Sequence, residues 1–337
     1  MTEGIIWAIF AGLMLGLYAL PEKFTKDFKF ENTWGLFFML TMFAVPIVAS
    51  LTLIKGFGDI FGAVSTDVII KMAAASFLWG IGVMMWGKAI NHIGLSLGFS
   101  LFIGTVILVG SVIPFFVNGI PETNTFLTIL GGLVIVLLGI IFNGKAGLTR
   151  EADEKSSSKE ESSEKGSMAT GIMIAVIGGL LATGFSYANA VGGGLLNEAS
   201  IAQGNAEWVG SLVVMFPIFI SGGVVMAAYF GWQLSQKKAW GDFGTPHFGK
   251  NFFLILIMAV FHYAASALFA FAAYKLGGLG GTVGYAIFNT SCVATAIVSG
   301  IVTNEWANAS SKAKGFLYAS LTCMVLGIVI IAIGNGL

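Results

Sequence analysis

The sequence predicts an all-α polytopic membrane protein with ten transmembrane helices arranged as a 5+5 inverted repeat. Three observations lead to this fold class. Of the 337 residues, 56% are apolar and 10% are charged, whereas an ordinary soluble domain contains about 25% charged residues. Long apolar runs recur along the chain, and the mean hydropathy is +0.89. A charged segment near the middle divides these runs into two equal groups.

The ten apolar runs are each long enough for a membrane helix, which needs about 20 residues to cross the hydrocarbon layer. They are continuous and about twice as long as a membrane β-strand, so helices are favoured over a barrel. The first run has no basic segment before it and is therefore expected to be retained as a helix. The runs are residues 4–20, 34–54, 72–91, 95–117, 126–143, 168–190, 208–231, 251–274, 279–301 and 315–336.

The charged segment at residues 145–167 is predicted to be a linker. Residues 145–165 contain five basic and six acidic side chains among several serines, a composition typical of flexible, solvated chain. The linker separates a first five-helix repeat, residues 1–144, from a second five-helix repeat, residues 168–337.

The two halves resemble each other in sequence. The segment that begins at Gly4 aligns with the one that begins at Gly171, and the fifth and tenth runs share glycines seven residues apart. The identical pairs are Gly4/Gly171, Ile5/Ile172, Ala8/Ala175, Gly12/Gly179 and Leu13/Leu180, and the spaced glycines are Gly132/Gly139 and Gly327/Gly334. Because each half has an odd number of runs, the second repeat is expected to cross the membrane in the opposite sense to the first.

The basic residues predict the orientation. Segments that follow odd-numbered runs hold 14 of the 17 lysines and arginines, and such residues favour the cytoplasmic side. We therefore expect a cytoplasmic linker and both termini outside, in a multi-pass protein of the bacterial cytoplasmic (inner) membrane. The balanced net charge gives no indication of a nucleic-acid partner.

Two candidate groups for proton coupling are His262 and Glu198. His262 lies about 16 Å into the eighth run, near the bilayer midplane, where an ionisable residue is rare unless it faces a cavity or a partner. Glu198 follows the glycine-rich segment 192–194 on the predicted outer side, where an importer would take its proton. The alternatives are a neutral core histidine and an ordinary loop carboxylate.

Aromatic and polar residues within or near the runs are candidates for substrate binding. An aromatic ring can stack on the apolar face of a sugar, while amide and hydroxyl groups bond its hydroxyls. The candidates are Trp79, Trp86, Ser100, Tyr187, Asn189, Tyr263 and Asn289. Each aromatic ring could instead belong to the interfacial belt or to helix packing.

The sequence does not predict an enzyme, a cofactor or a metal site. Gly94-Leu95-Ser96-Leu97-Gly98 matches a nucleophile-elbow pattern, but it lies between two membrane runs and no acid follows to complete a triad. Cys292 and Cys323 both lie in apolar runs, without the spacing of metal ligands.

Residues 79–111 carry a family resemblance. They contain Trp79-Gly80-Ile81-Gly82, the Gly94 to Gly98 bend and Val109-Gly110, and further similarity lies at Asn197-Glu198-Ala199 and Asn304-Glu305-Trp306. In these motifs and in the order of its runs the chain resembles the bacterial L-rhamnose/proton symporter family of the drug/metabolite transporter superfamily.

The resemblance implies a secondary active transporter that imports a sugar, L-rhamnose or a related deoxyhexose, in symport with a proton. It places the cavity among runs 1, 3, 4, 6, 8 and 9, with runs 5 and 10 as packing helices. The expected partners are the sugar, the proton and the lipid bilayer, with the chain acting as a monomer or homodimer. The alternatives are a metabolite exporter or exchanger on the same fold and, from a different class, an intramembrane enzyme or a sensor.

Overall fold

The computed structural model describes residues 2–157 and 167–334, and within these ranges the chain is helical and has no strand. The helices are α1 Thr2–Leu17, α2 Phe30–Met39, α3 Val45–Leu53, α4 Phe57–Ala63, α5 Thr66–Ile93, α6 Leu95–Asn118, α7 Thr123–Ser157, α8 Met168–Ala182, α9 Gly184–Ala202, α10 Glu207–Gln236, α11 Phe248–Leu276, α12 Tyr285–Val302 and α13 Ser311–Gly334. Short 3-10 turns lie at Leu20–Phe24, Ala239–Gly244 and Gly277–Leu279, and π-helical turns at Leu40–Ala44 and Gly280–Gly284.

The described residues contain nine segments that are long and apolar enough to cross a membrane. Eight of them each overlap one predicted run, and the ninth, Phe248–Val302, contains both the eighth and the ninth runs in 55 residues. A straight helix of that length would be about 80 Å long, against about 30 Å for the hydrocarbon layer. The segment bends at Gly277, whose φ of 66° lies in the left-handed region that favours glycine. The total of ten crossings stays a prediction.

Local structure differs from expectation in two places. Residues 192–194, predicted to follow the sixth run as a flexible segment, lie within α9, so Glu198 is on a helix. Helix α7 continues to Ser157, so the first part of the predicted linker is helical, and residues 158–166 lie outside the described residues. Both differences have the same cause. A helix can continue through glycines when it packs against neighbouring helices, and through charged residues when water solvates their side chains.

Glycines that match between the two halves occupy corresponding packing positions. A Cβ atom at Gly12 would lie 2.5 Å from the Phe288 carbonyl oxygen of α12, and one at Gly179 would lie 2.9 Å from the Phe102 carbonyl oxygen of α6. Gly4 packs in the same way against the end of α11, and Gly171 against the end of α5. Small residues at these positions let the helix backbones approach closely, which is how helices associate in lipid.

Helices α7 and α13 pack against each other through a reciprocal glycine contact. A Cβ atom at Gly132 would lie 3.1 Å from the Gly327 carbonyl oxygen, and one at Gly327 would lie 3.0 Å from the Gly132 carbonyl oxygen. The two helices that carry the Gly-x6-Gly stripe therefore meet along that stripe.

We expect Gly132→Ala to destabilise the folded protein and Gly131→Ala to leave its stability nearly unchanged. The added methyl at position 132 would lie 2.6 Å from the Ile331 side chain, whereas nothing lies within 4 Å of one at position 131. Overpacking of this kind costs about 1–3 kcal/mol. Thermal melting of both purified variants in the same detergent measures the difference, and equal melting temperatures would contradict the close α7–α13 contact.

Candidate functional site

A cavity of about 910 Å³ lies at the centre of the helical bundle. Its walls come from α1, α2, α5, α6, α8, α9, α10, α11 and α12, with α7 and α13 contributing no lining residue. The aromatic lining residues are Tyr18, Phe30, Trp34, Phe37, Phe38, Trp79, Trp86, Phe102, Phe185, Tyr229, Phe230, Tyr285 and Phe288. The runs expected at the cavity from the resemblance all contribute to it. Runs two and seven, through α2 and α10, line it as well.

Four of the residues predicted from the sequence line this central cavity: Trp79, Trp86, His262 and Asn289. The Trp79 ring packs against Phe185, with 5.3 Å between ring centroids. The indole N–H of Trp86 is buried and has no hydrogen-bond partner among the described residues. A buried donor without a partner is costly. The Trp86 indole can therefore donate a hydrogen bond to a solute or water molecule in the cavity.

His262 lies at the middle of α11 and contacts mainly aromatic rings. The imidazole centroid is 5.0 Å from that of Tyr18 and 5.4 Å from that of Phe37. Its Nδ1 atom is 3.2 Å from the hydroxyl oxygen of Thr41, which also lies 3.2 Å from the Ala259 carbonyl oxygen. Thr41 belongs to the π-helical turn that precedes Pro46, and such turns often lie at functional sites.

Asn289 is buried on α12, one turn after the cavity residue Tyr285 and directly after Phe288. Its amide nitrogen donates to the Tyr285 carbonyl oxygen at 2.9 Å. That bond is local to the helix and fixes the amide group at the cavity wall. The same residue can still accept a hydrogen bond from a ligand.

The sequence interpretation missed two carboxylates in the central cavity, Glu22 and Glu31. The indole nitrogen of Trp34 donates to Glu22 at 2.7 Å. Glu31 is buried and forms an ion pair with Lys237. Both acids lie between the first two apolar runs, where a charged residue is expected to mark the end of a run. The nearby Trp34 is a sequence feature that could have indicated a site.

The cavity reaches the surface at the end of the bundle where Phe30 and Lys237 are exposed. Charge pairs surround this mouth. Lys29 lies 2.8 Å from Asp242, whose hydrogen bond raises the pKa of the lysine. These pairs are partly exposed, so each contributes little to stability.

One further charge pair connects the chain beyond α1 to the segment that follows α12. The ammonium of Lys23 bonds to Glu305 and holds the pKa of that carboxyl below its ordinary value. Arg150, at the end of α7, lies over the neighbouring Trp306 ring at 4.9 Å from its centroid. Polar contacts therefore link α1, α7 and the segment before α13.

A second, smaller pocket of about 280 Å³ contains two other predicted residues, Asn189 and Glu198. It lies beside Gly277 at the C-terminal end of α11, whereas the mouth of the central cavity lies beside the end of α10, which connects to the N-terminal end of α11. The side-chain oxygens of Asn189 and Asn197 are buried there without a donor among the described residues. Six of the nine predicted site residues therefore lie in two separate cavities.

Three predicted residues line neither of these cavities. The Tyr263 hydroxyl donates to the Leu212 carbonyl oxygen at 3.2 Å, and its ring packs against Phe219. Ser100 is buried against Gly144 of α7. Tyr187 is partly buried against the main hydrophobic core. A binding role for these three stays a prediction.

A helical bundle with membrane-length apolar segments and one large internal cavity open at one end is the architecture of a multi-pass membrane transporter. In the described ranges no three histidine, cysteine, aspartate or glutamate side chains cluster as metal ligands. Few polar groups line the central cavity, and they lie among its aromatic walls.

The chain belongs to the L-rhamnose-proton symport protein family (RhaT), which it matches over residues 1–337. Curated relatives named L-rhamnose-proton symporter include those of Escherichia coli and Salmonella paratyphi A, each 24% identical over 352 residues. The relative from Shigella boydii serotype 18 is 23% identical over 351 residues. Each alignment covers 100% of this chain and 98% of the relative.

We expect a cysteine at position 87 to react with a polar maleimide in the folded protein, and a cysteine at position 131 to react far more slowly. Gly87 lines the central cavity, whereas Gly131 is exposed on the outer surface of α7, and nothing lies within 4 Å of a Cβ atom at either position. The reactive species is the thiolate, which forms in water and not in a lipid or detergent layer.

The labelling uses a chain in which Cys292 and Cys323 are replaced by alanine, because both are free cysteines. Equal labelling rates at positions 87 and 131 would show that water does not enter the central cavity.

Proposed function

We propose that this protein imports L-rhamnose or a related deoxyhexose together with a proton, and that the sugar binds in the central cavity. The observation that carries the proposal is the cavity itself, because it combines extensive aromatic walls with a few polar groups. Binding sites for small molecules have this composition and a volume of about 300–1,000 Å³. Membership of the L-rhamnose-proton symport protein family supports the sugar and the coupling ion.

In the proposed complex, aromatic rings contact the apolar face of the sugar while Asn289, His262 and the Trp86 indole bond its hydroxyls. Trp79 and Trp86 both lie on α5 and line the same cavity. A site built to bond hydroxyls rejects a ligand without them, because its own buried polar groups are then left unpaired. Selection among sugars would follow from these bonds.

We also propose that the ten membrane helices predicted from the sequence form two inverted five-helix repeats. Helix α1 packs against α11 and α12, and in the second half α8 packs against α5 and α6. The contacts of α1 in the first half therefore correspond to those of α8 in the second half. Helices α7 and α13, the last of each half, pack against each other. Such symmetry allows the two halves to exchange conformations and open the cavity to either side.

The proposed orientation places the cavity mouth, with its lysines and the linker, on the cytoplasmic side of the bacterial inner membrane. The small pocket with Asn189 and Glu198 would then face outward. Of the two candidates for proton coupling predicted from the sequence, His262 would lie beside the sugar and Glu198 in the outward pocket. The protein would act as a monomer or a homodimer.

For recognition, we expect Asn289→Ala and Trp79→Ala each to weaken L-rhamnose binding by about 1–3 kcal/mol, or about 5-fold to 150-fold in Kd. The first change removes a hydrogen bond and the second removes a contact surface. Calorimetry on purified protein measures both. Matched controls are Asn308→Ala and Trp208→Ala, since both residues are exposed and outside the cavity. Unchanged affinity in both cavity variants would place the sugar elsewhere.

For orientation, we expect a reporter enzyme that is active only in the cytoplasm to work when it is fused after residue 150 and to fail when it is fused at residue 337. The expectation follows from the distribution of the basic residues. The opposite pattern would reverse the proposed sidedness of both cavities.

For direction and coupling, we expect uptake of L-rhamnose into proteoliposomes to require an inwardly directed proton gradient and to stop when an uncoupler is added. The proton gradient supplies the free energy for accumulation, so its collapse leaves only downhill exchange. Uptake that is accelerated by the uncoupler would favour an exporter or exchanger instead.

A further inference from the structure

A proton-coupled carrier needs a titratable group that the solute cavity can reach. In the central cavity the carboxylates are Glu22 and Glu31, and the other charged or readily titrated side chains are Lys237 and His262. These groups differ in their depth, in their hydrogen-bond and ion-pair partners, and in whether protonation adds or removes a charge.

With His262 placed near the bilayer midplane by its position in the eighth run, the contacts of its neighbours put Glu22 within the hydrocarbon layer. The Tyr18 ring is next to His262 at the middle of α11, and the backbone nitrogen of Lys26 donates to the Asn251 side chain at 3.0 Å near the start of α11. Glu22 lies midway between these two residues in the 3-10 turn Leu20–Phe24. It is therefore about 6–8 Å below the level of His262, inside a half-layer of about 15 Å.

The two carboxylates have different partners. Glu31 is paired with the Lys237 ammonium, so protonating it would break an ion pair. Glu22 forms no ion pair among the described residues, and its hydrogen bond comes from the neutral indole of Trp34 at 2.7 Å. An unpaired carboxylate at membrane depth is costly and is a functional group by default.

Protonation has opposite consequences at Glu22 and His262. A proton removes the charge of Glu22, but it would add a charge to an imidazole that lies among the rings of Tyr18, Phe37 and Phe219. Glu22 is therefore better suited than His262 to hold a proton at this depth.

The charged and titratable groups around Glu22 come from four elements. Tyr18 and Lys23 lie on its own segment, and Lys23 is engaged by Glu305. Glu31 and Lys237, from α2 and the end of α10, neutralise each other, and His262 is the nearest such group of α11 in the cavity. Among the described residues, therefore, no free neighbouring cation compensates the charge of ionised Glu22.

We propose that Glu22 carries the cotransported proton, an assignment that rests on the proposed symport of a sugar and a proton. The carboxylate takes H⁺ from a hydronium ion, forms an O–H bond and leaves a water molecule, and on release the proton passes back to water on the other side. Protonated Glu22 can donate a hydrogen bond as well as accept one, whereas ionised Glu22 only accepts. Sugar affinity and proton affinity are linked through this additional donor. Trp34 is a positioning residue for the carboxylate.

The test is Glu22→Gln, which keeps the size and hydrogen bonding of the protonated acid but cannot titrate. In proteoliposomes containing a pH-sensitive dye, the parent protein should take up protons when L-rhamnose is added. The variant should bind and exchange the sugar without moving protons, and should lose at least tenfold in accumulation. The parent's affinity for L-rhamnose should fall as pH rises, and the variant's affinity should not depend on pH.

Matched variants separate coupling from folding. Glu122→Gln is an exposed control in the loop before α7 and should behave as the parent. Trp34→Phe should stay coupled but move the midpoint of the pH profile upward, because the carboxylate loses a donor that favours its ionised form. If Glu22→Gln does not fold, Glu22→Asp keeps a carboxyl group and should remain coupled with a shifted midpoint, and an unshifted midpoint would overturn the assignment.

The assignment is also overturned if Glu22→Gln still takes up protons with the sugar. Loss of coupling in Glu31→Gln or His262→Gln, with coupling kept in Glu22→Gln, would move the proton to that residue. A parent protein that transports no L-rhamnose, or transports it without protons, would instead contradict the proposed function itself.

Discussion

Close contact between helix backbones at glycine is the constraint on which the rest of this structure depends. A Cβ atom at Gly82 would lie 2.4 Å from the Gly178 carbonyl oxygen, and one at Gly80 would lie 2.5 Å from the Gly222 carbonyl oxygen. These two contacts fix α5 between α8 and α10. Because Trp79 and Trp86 lie on α5, their positions at the cavity wall follow from glycine packing. Lipid provides no hydrophobic force between helices, so this close approach must supply the association.

With the helices held at their backbones, the large side chains are free to line the cavity instead of filling the interfaces. Polar groups along the wall are held by bonds within their own helix or to a neighbour, as in Asn289 and His262. Groups held in this way are oriented before a ligand arrives, which lowers the ordering cost of binding. Glu22 is likewise held from another helix, by the hydrogen bond that the Trp34 indole donates.

The sequence predicted the helices and the turn at Gly94, where the φ of 79° ends α5, because apolar runs and glycine act locally. His262, a candidate because of its depth in the eighth run, lines the central cavity together with Asn289. It did not separate Asn189 from them, since the rotation of α9 is set by packing such as that of Gly192 against Met72. Glu22 was missed for a similar reason. A charge that ends an apolar run can still lie at membrane depth when the chain turns back beneath it.

The two cavities are separated by aromatic packing. Phe269 is fully buried, and its ring contacts those of Phe185, Tyr285 and Phe288 at centroid distances of 5.8, 5.6 and 4.9 Å. Those three residues line the central cavity, and Ala270, next to Phe269, lines the small pocket. A passage from one cavity to the other must therefore displace these rings. The rings come from α9, α11 and α12, and among the described residues no ion pair joins one of these three helices to another. In the proposed transport cycle, this cluster is the barrier between the two cavities that would have to open.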